Sequence, residues 1–76
     1  MHRFNVYIWV FAASGDCDYY AEAVEAGSFV GAMLLALEQF SLLSACQISV
    51  WPADMLVSEC PPHHFQNVAL SYECFA

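Results

Sequence analysis

Phe4-Asn5-Val6-Tyr7-Ile8-Trp9-Val10-Phe11 is the stretch on which the fold turns. All of it but Asn5 is aromatic or β-branched, the composition that suits a pleated, extended backbone. Apolar side chains fall on both faces of the strand it would form. Such a strand lies centrally in a sheet, covered on both sides, or covered on one side and joined to an interface on the other. Ala12-Ala13-Ser14-Gly15-Asp16 reads as a turn in which Gly15 is free to take positive φ. Cys17 to Ala26 alternates as a second strand, so the two runs form an antiparallel hairpin.

Working outward, Gly27-Ser28 breaks the second strand, and the Ser28 hydroxyl is suited to accept from the free amides of a first helical turn. A helix is expected from there to about Leu42. Phe29, Met33, Ala36, Leu37 and Phe40 recur at helical spacing as its core stripe. Leu35 and Leu42 fall largely off that stripe, and Gly31, Ala32 and Ala36 are small enough for close packing. Cys46-Gln47-Ile48-Ser49-Val50-Trp51 alternates again, with Cys46, Ile48 and Val50 inward and Gln47 and Ser49 outward, until Pro52 ends it. Pro52-Ala53-Asp54 can open a short helix, so Met55 to Glu59 is either an extra helical turn or a short edge strand. Cys60-Pro61-Pro62-His63-His64 is a stiff connection. Phe65 to Phe75 is a last alternating run, with Val68, Leu70, Tyr72 and Cys74 inward and Asn67, Ala69, Ser71 and Glu73 outward. The expected architecture is α+β: a small antiparallel sheet with one helix packed on a face, in ββαββ order, forming a single domain over residues 1–76.

Composition limits what such a domain can do. Hydrophobic residues make up 61% of the 76 and charged ones 12%, which is too apolar for a disordered chain. Against eight Asp and Glu stands a single cation, Arg3, for a net charge of −7. One cation cannot neutralise a phosphate backbone or an anionic membrane surface, so direct binding to nucleic acid or lipid is not expected. A partner with a basic surface is. From Ala26 to Ala53 the only charge is Glu38, but the densest apolar run, Phe29 to Leu37, falls well short of the roughly 20 residues of a membrane span. Arg3 is followed by strand-like alternation and not by a signal-peptide core. A cytoplasmic protein with reduced cysteines is therefore expected.

Chemistry on individual residues is thinly supported. Cys17, Cys46, Cys60 and Cys74 lack the short spacing of a zinc site. Cys60 with His63 and His64 is the nearest approach, and the double proline between them hinders convergence on one ion. Cys17, Cys46 and Cys74 read as small core hydrophobes on inward strand positions. A nucleophile at Cys60 or Cys74 would have His63 or His64 as base, but no cation to lower the thiol pKa and no glycine-rich oxyanion loop. No metal, no cofactor and no enzymatic activity are expected.

The acids themselves are organised. Asp16, Asp18, Glu22 and Glu25 crowd into ten residues, half of all the acids in the chain. Asp16, Asp18, Tyr20 and Glu22 have even spacing, which on a strand puts them on one face at steps of about 6.6 Å. Each acid taken alone is accounted for as a solvated position that keeps an apolar chain dispersed. As a row they are unusual, because a face serving solubility normally mixes signs and like charges along a strand repel. A nearly pure negative row suits a ligand of opposite sign. Glu59 and Glu73 would extend it if the last strand lay near the hairpin.

The second strand Asp16-Cys-Asp-Tyr-Tyr-Ala-Glu-Ala-Val-Glu25, running through Ser28 into an Ala- and Leu-rich helix and then alternating strands, resembles the layout of the small phage-encoded anti-CRISPR proteins, particularly the acidic inhibitors of type I surveillance complexes. The resemblance covers most of the chain and rests on layout and charge, since no catalytic or ligand motif defines that class. It implies inhibition by occupation, in the cytoplasm of a bacterial host cell. Asp16, Asp18, Glu22 and Glu25 would stand in for the phosphates of target DNA on a basic effector subunit, with Tyr19 or Tyr20 adding contact at the rim. Two other readings stay open on the same residues. One is a small interaction protein that homodimerises through the Leu35 and Leu42 side of its helix; the other is an antitoxin-like partner of a basic toxin.

Overall fold

The computed structural model describes residues 1–11, 14–55 and 58–69. Five elements follow one another: β1 (His2–Phe11), β2 (Cys17–Ala26), α1 (Phe29–Gln39), β3 (Ser44–Pro52) and β4 (His63–Ala69). All the strand pairings are antiparallel and the sheet order is β2-β1-β3-β4. The expected ββαββ architecture is therefore the observed one, with the helix lying across β2, β1 and β3. β1 is a central strand, flanked by β2 along its whole length and by β3 from Phe4 to Trp9.

Register and alternation together decide what faces the helix. Phe4, Val6 and Ile8 of β1 are buried, as are Ile48 and Val50 of β3, and between them pack Ala32, Met33, Ala36 and Leu37 of α1. Ala32 and Ala36 are fully buried, and having no side chain beyond Cβ they let the helix sit close enough for Leu37 to reach the core. Phe29 and Phe40 close the two ends of the stripe, half-buried against the same cluster. Val68 also packs there, Asn67 and Ala69 are exposed, and Leu70, Ser71, Tyr72, Glu73 and Cys74 lie outside the described residues.

Both helix ends are set by local chemistry. At the start, the Ser28 hydroxyl accepts from the Gly31 amide at 3.0 Å, the cap read from the sequence. The end comes earlier than the expected Leu42. Ser41 adopts φ 56°, its amide donates to Glu38 O at 3.1 Å, and the Leu42 amide donates to Leu37 O at 2.9 Å. This is the closing pattern usually built on glycine, here made by a serine. Its consequence is that Leu42 leaves the helix surface and packs against the core.

Three further expectations are corrected. The described residues of Met55 to Glu59 form neither helix nor strand: residues 53–55 bend, residues 58–59 turn, and Leu56 and Val57 lie outside the described residues. Pro52 is the last residue of β3, buried opposite Phe4, and the amide of Ala53 donates to Arg3 O at 2.9 Å, so the chain stays tied to β1 and no helix opens. Cys17 is exposed and Cys46 only half-buried. Strict inward alternation at Cys46 fails because the ladder skips the Cys46–Asn67 position, where Asn67 takes φ 52°. Buried positions on β3 then step from Ile48 to Ala45, and those packed on the core from β4 step from Phe65 to Val68.

Two stability measurements test this account. Leu37→Ala should cost about 2–5 kcal/mol in denaturant unfolding, because it opens a cavity where helix and sheet meet. Ser41→Gly should stabilise by about 1 kcal/mol, by relieving the penalty of a left-handed residue bearing a Cβ.

Candidate functional site: an acidic edge and an open aromatic face

β2 stands at the edge of the sheet, and its partners on β1 define the direction of each side chain. Val6 pairs with Glu22, Ile8 with Tyr20 and Val10 with Asp18, so these three β2 residues lie on the helix side of the sheet. Glu25 pairs with Arg3 and lies on the other side. Asp16 precedes the strand and accepts from the Ser14 hydroxyl at 3.1 Å. The structure thus brings Asp18, Tyr20 and Glu22 together on one face, leaves Asp16 at the hairpin loop and turns Glu25 away.

That face is not a bare solvated surface. Tyr20 is half-buried, its ring 4.9 Å from that of Phe40. Asp18 is exposed and Glu22 half-buried beside it. The lone cation of the chain is committed elsewhere: the Arg3 guanidinium donates to Glu25 at 3.3 Å, in a pair exposed enough to contribute little to stability. The Asp54 carboxylate accepts from the Arg3 amide at 3.1 Å and approaches His2 Nδ1 at 3.6 Å. Among the described residues Asp16, Asp18 and Glu22 have no ion-pair partner.

One acid joins this edge that the spacing did not reveal. Glu38, in the last turn of α1, lines a shallow groove of about 530 Å³ with Gln39, Leu35, Val24 and Glu25. Its signal was present as the sole charge in the apolar run from Ala26 to Ala53, but a helix residue can be set beside a strand only by tertiary packing. Glu59 does not extend the row, because it lies in the connection to β4, which pairs with β3 at the opposite edge of the sheet; Glu73 lies outside the described residues. Unpaired carboxylates on an edge strand also repel the same edge of another copy, which protects β2 from edge-to-edge pairing. Chemically the edge offers strong acceptors for Lys and Arg side chains, bidentate for Arg.

The opposite face of the sheet has a different character. No described element covers Tyr7, Trp9, Tyr19 and Trp51, which project from β1, β2 and β3 on the side away from α1. Trp9 and Tyr19 rings lie 5.3 Å apart and Tyr7 and Tyr19 6.3 Å apart. Between β3 and β4 on that side, Ser49 Oγ and His64 Nδ1 are 2.8 Å apart, with the Trp51 ring edge-on to the imidazole. This serine–histidine contact was not read from the sequence, which paired the histidines with cysteine. Ser49 is only 3% exposed, so its hydroxyl serves as a buried polar group satisfied by the adjacent strand. Among the described residues no three His, Cys, Asp or Glu side chains cluster to hold a metal, and no helix is long and apolar enough to cross a membrane.

Comparison with known protein families, curated proteins and solved structures finds no match to this chain.

Ser49→Ala should cost about 1 kcal/mol by removing the hydrogen bond between β3 and β4, read from denaturant midpoints. Arg3→Ala should cost less than about 1 kcal/mol in the same assay, since its ion pair is solvent-screened.

Proposed function

We propose that this protein is a non-enzymatic inhibitor that binds a basic, nucleic-acid-handling protein through its acidic β2 edge. The DNA-binding surface of a type I CRISPR effector complex is the partner that the resemblance in layout favours. One observation carries the reading: Asp16, Asp18 and Glu22 are presented at or beside an edge strand without a counter-charge, while the only Lys or Arg of the chain is held by Glu25. A carboxylate row of this kind occupies the Lys and Arg side chains that would otherwise neutralise DNA phosphates, and so competes with the duplex without chemistry. Glu38 adds a further carboxylate beside Leu35, which gives the edge one apolar contact next to its charges. Long-range attraction speeds association, and salt weakens it.

The test uses a purified type I effector, its target duplex and the intact protein. Addition of the protein should suppress duplex binding at low salt, with the effect fading as salt is raised. Asp18→Lys with Glu22→Lys should remove the suppression while the circular dichroism spectrum is kept, because Asp18 is exposed and Glu22 is half-buried on an edge strand. Undiminished suppression by the double variant would defeat the acidic-edge mechanism. Failure of the wild-type protein to bind the effector, with salt-sensitive binding to a basic toxin instead, would transfer the same edge to an antitoxin role.

A further inference from the structure

The apolar groups on both faces of β1 call for cover on both sides, or for cover on one side and an interface on the other, and no described element covers the side away from α1. We propose that the open face of the sheet is a homodimer interface, two copies stacking sheet against sheet with the helices outermost.

Four observations point to a second copy as the occupant. First, the face is aromatic at its centre: Tyr7, Trp9, Tyr19 and Trp51 belong to three adjacent strands, with Tyr19 54% exposed, and Phe11 at the end of β1 is 63% exposed. Aromatic rings of this kind anchor interface cores.

Second, charge is segregated away from it. Asp18 and Glu22 point to the helix side, Glu38 is on α1, and the charges of β1 and β2 on the open side are Arg3 and Glu25, already paired with each other at one end. Two copies with a net charge of −7 each can therefore meet on this face without bringing their unpaired acids together.

Third, Ser49, the buried polar residue on the face among the described residues, is bonded to His64, so covering the face does not orphan its hydroxyl. Fourth, the size is right. The molecule is a slab of 38 × 31 × 17 Å, one sheet and one helix layer thick. Four strands about 4.8 Å apart and up to about 33 Å long span on the order of 600 Å² flat. Pleating and protruding rings add to this area, toward the ~800 Å² per partner of a standard interface. Face-to-face sheets settle about 10 Å apart, and a two-fold arrangement makes the same patch serve both copies.

The two tryptophans of the chain, Trp9 and Trp51, both lie on this face, so their emission reports its burial directly. Sedimentation equilibrium should give twice the 8.5 kDa chain mass, and dilution should shift tryptophan emission to the red as the mass falls. Tyr19→Glu should weaken the dimer at least about 100-fold, since each interface carries the change twice. Phe11→Ser, at the strand end where folding is least affected, should weaken it in the same direction.

Leu35→Glu, on the exposed side of α1, should leave the dimer intact. Raised salt should preserve or tighten self-association while weakening the proposed effector contact, so the two proposals fail separately. A monomer at every concentration overturns the inference. So does a dimer dissolved by Leu35→Glu and unaffected by Tyr19→Glu, which would place the interface on the helix.

Discussion

The seating of α1 on β1 and β3 is the contact from which the other features follow. Leu37 is buried with Phe4, Val6, Ile8, Ile48 and Val50, and full burial of aliphatic or aromatic side chains of this size contributes about 1.5–3 kcal/mol each. A chain of 76 residues has few such positions, so most of its stabilisation is concentrated in one layer between one helix and one side of one sheet. Ala32 and Ala36 make the approach close enough. The Ser28 cap and the left-handed Ser41 fix where the helix begins and stops. Among the described residues one helix covers one side of the sheet, and no described element covers the aromatic residues of the other side.

The same packing sorts the charges. β2 pairs with β1 in an uninterrupted register from His2–Ala26 to Phe11–Cys17, so each acid of β2 takes the side of its partner. Glu22 and Asp18 share a side with Val6 and Val10 near the helix, while Glu25 meets Arg3 across the ladder. An acidic edge and an aromatic face whose Arg3 and Glu25 charges pair with each other are two products of one register. Basic surfaces suit the first; an apolar face, such as that of a second copy, suits the other. The two surfaces do not compete, and a dimer stacked on its sheets would present two acidic edges.

The cysteines and histidines illustrate how tertiary context reassigns residue types that look reactive in a sequence. Cys17 lies exposed at the start of an edge strand, and Cys46 sits half-buried where the ladder skips a position. His63 stacks on Phe29 at 3.9 Å with the rings nearly parallel, and His64 holds the buried Ser49 hydroxyl. Both histidines therefore join β4 to its neighbours by packing or hydrogen bonding.

Local pattern alone determined the class of the fold. The aromatic and β-branched composition of β1, the two-residue alternation of β2, the helical spacing of Met33, Ala36 and Leu37, and the capping hydroxyl of Ser28 are short-range properties, and the antiparallel sheet with one helix follows from them. The net charge and the crowding of acids near the hairpin were equally plain. What only the tertiary structure decided is which neighbours those elements acquire. Alternation shows that Asp18, Tyr20 and Glu22 share a side, but only the pairing of β2 with β1 shows that this is the helix side. Glu25 falls on the other side by odd spacing, and Arg3 reaches it only through the register. The early end of α1 depended on Ser41 entering a conformation that its residue type seldom adopts, and the break at Asn67 on an asparagine in the same left-handed region, which that residue type enters more readily. Strand order, and with it the distance of β4 from the acidic edge, is set by contacts between residues far apart in the chain, and periodicity within a segment carries no information about them.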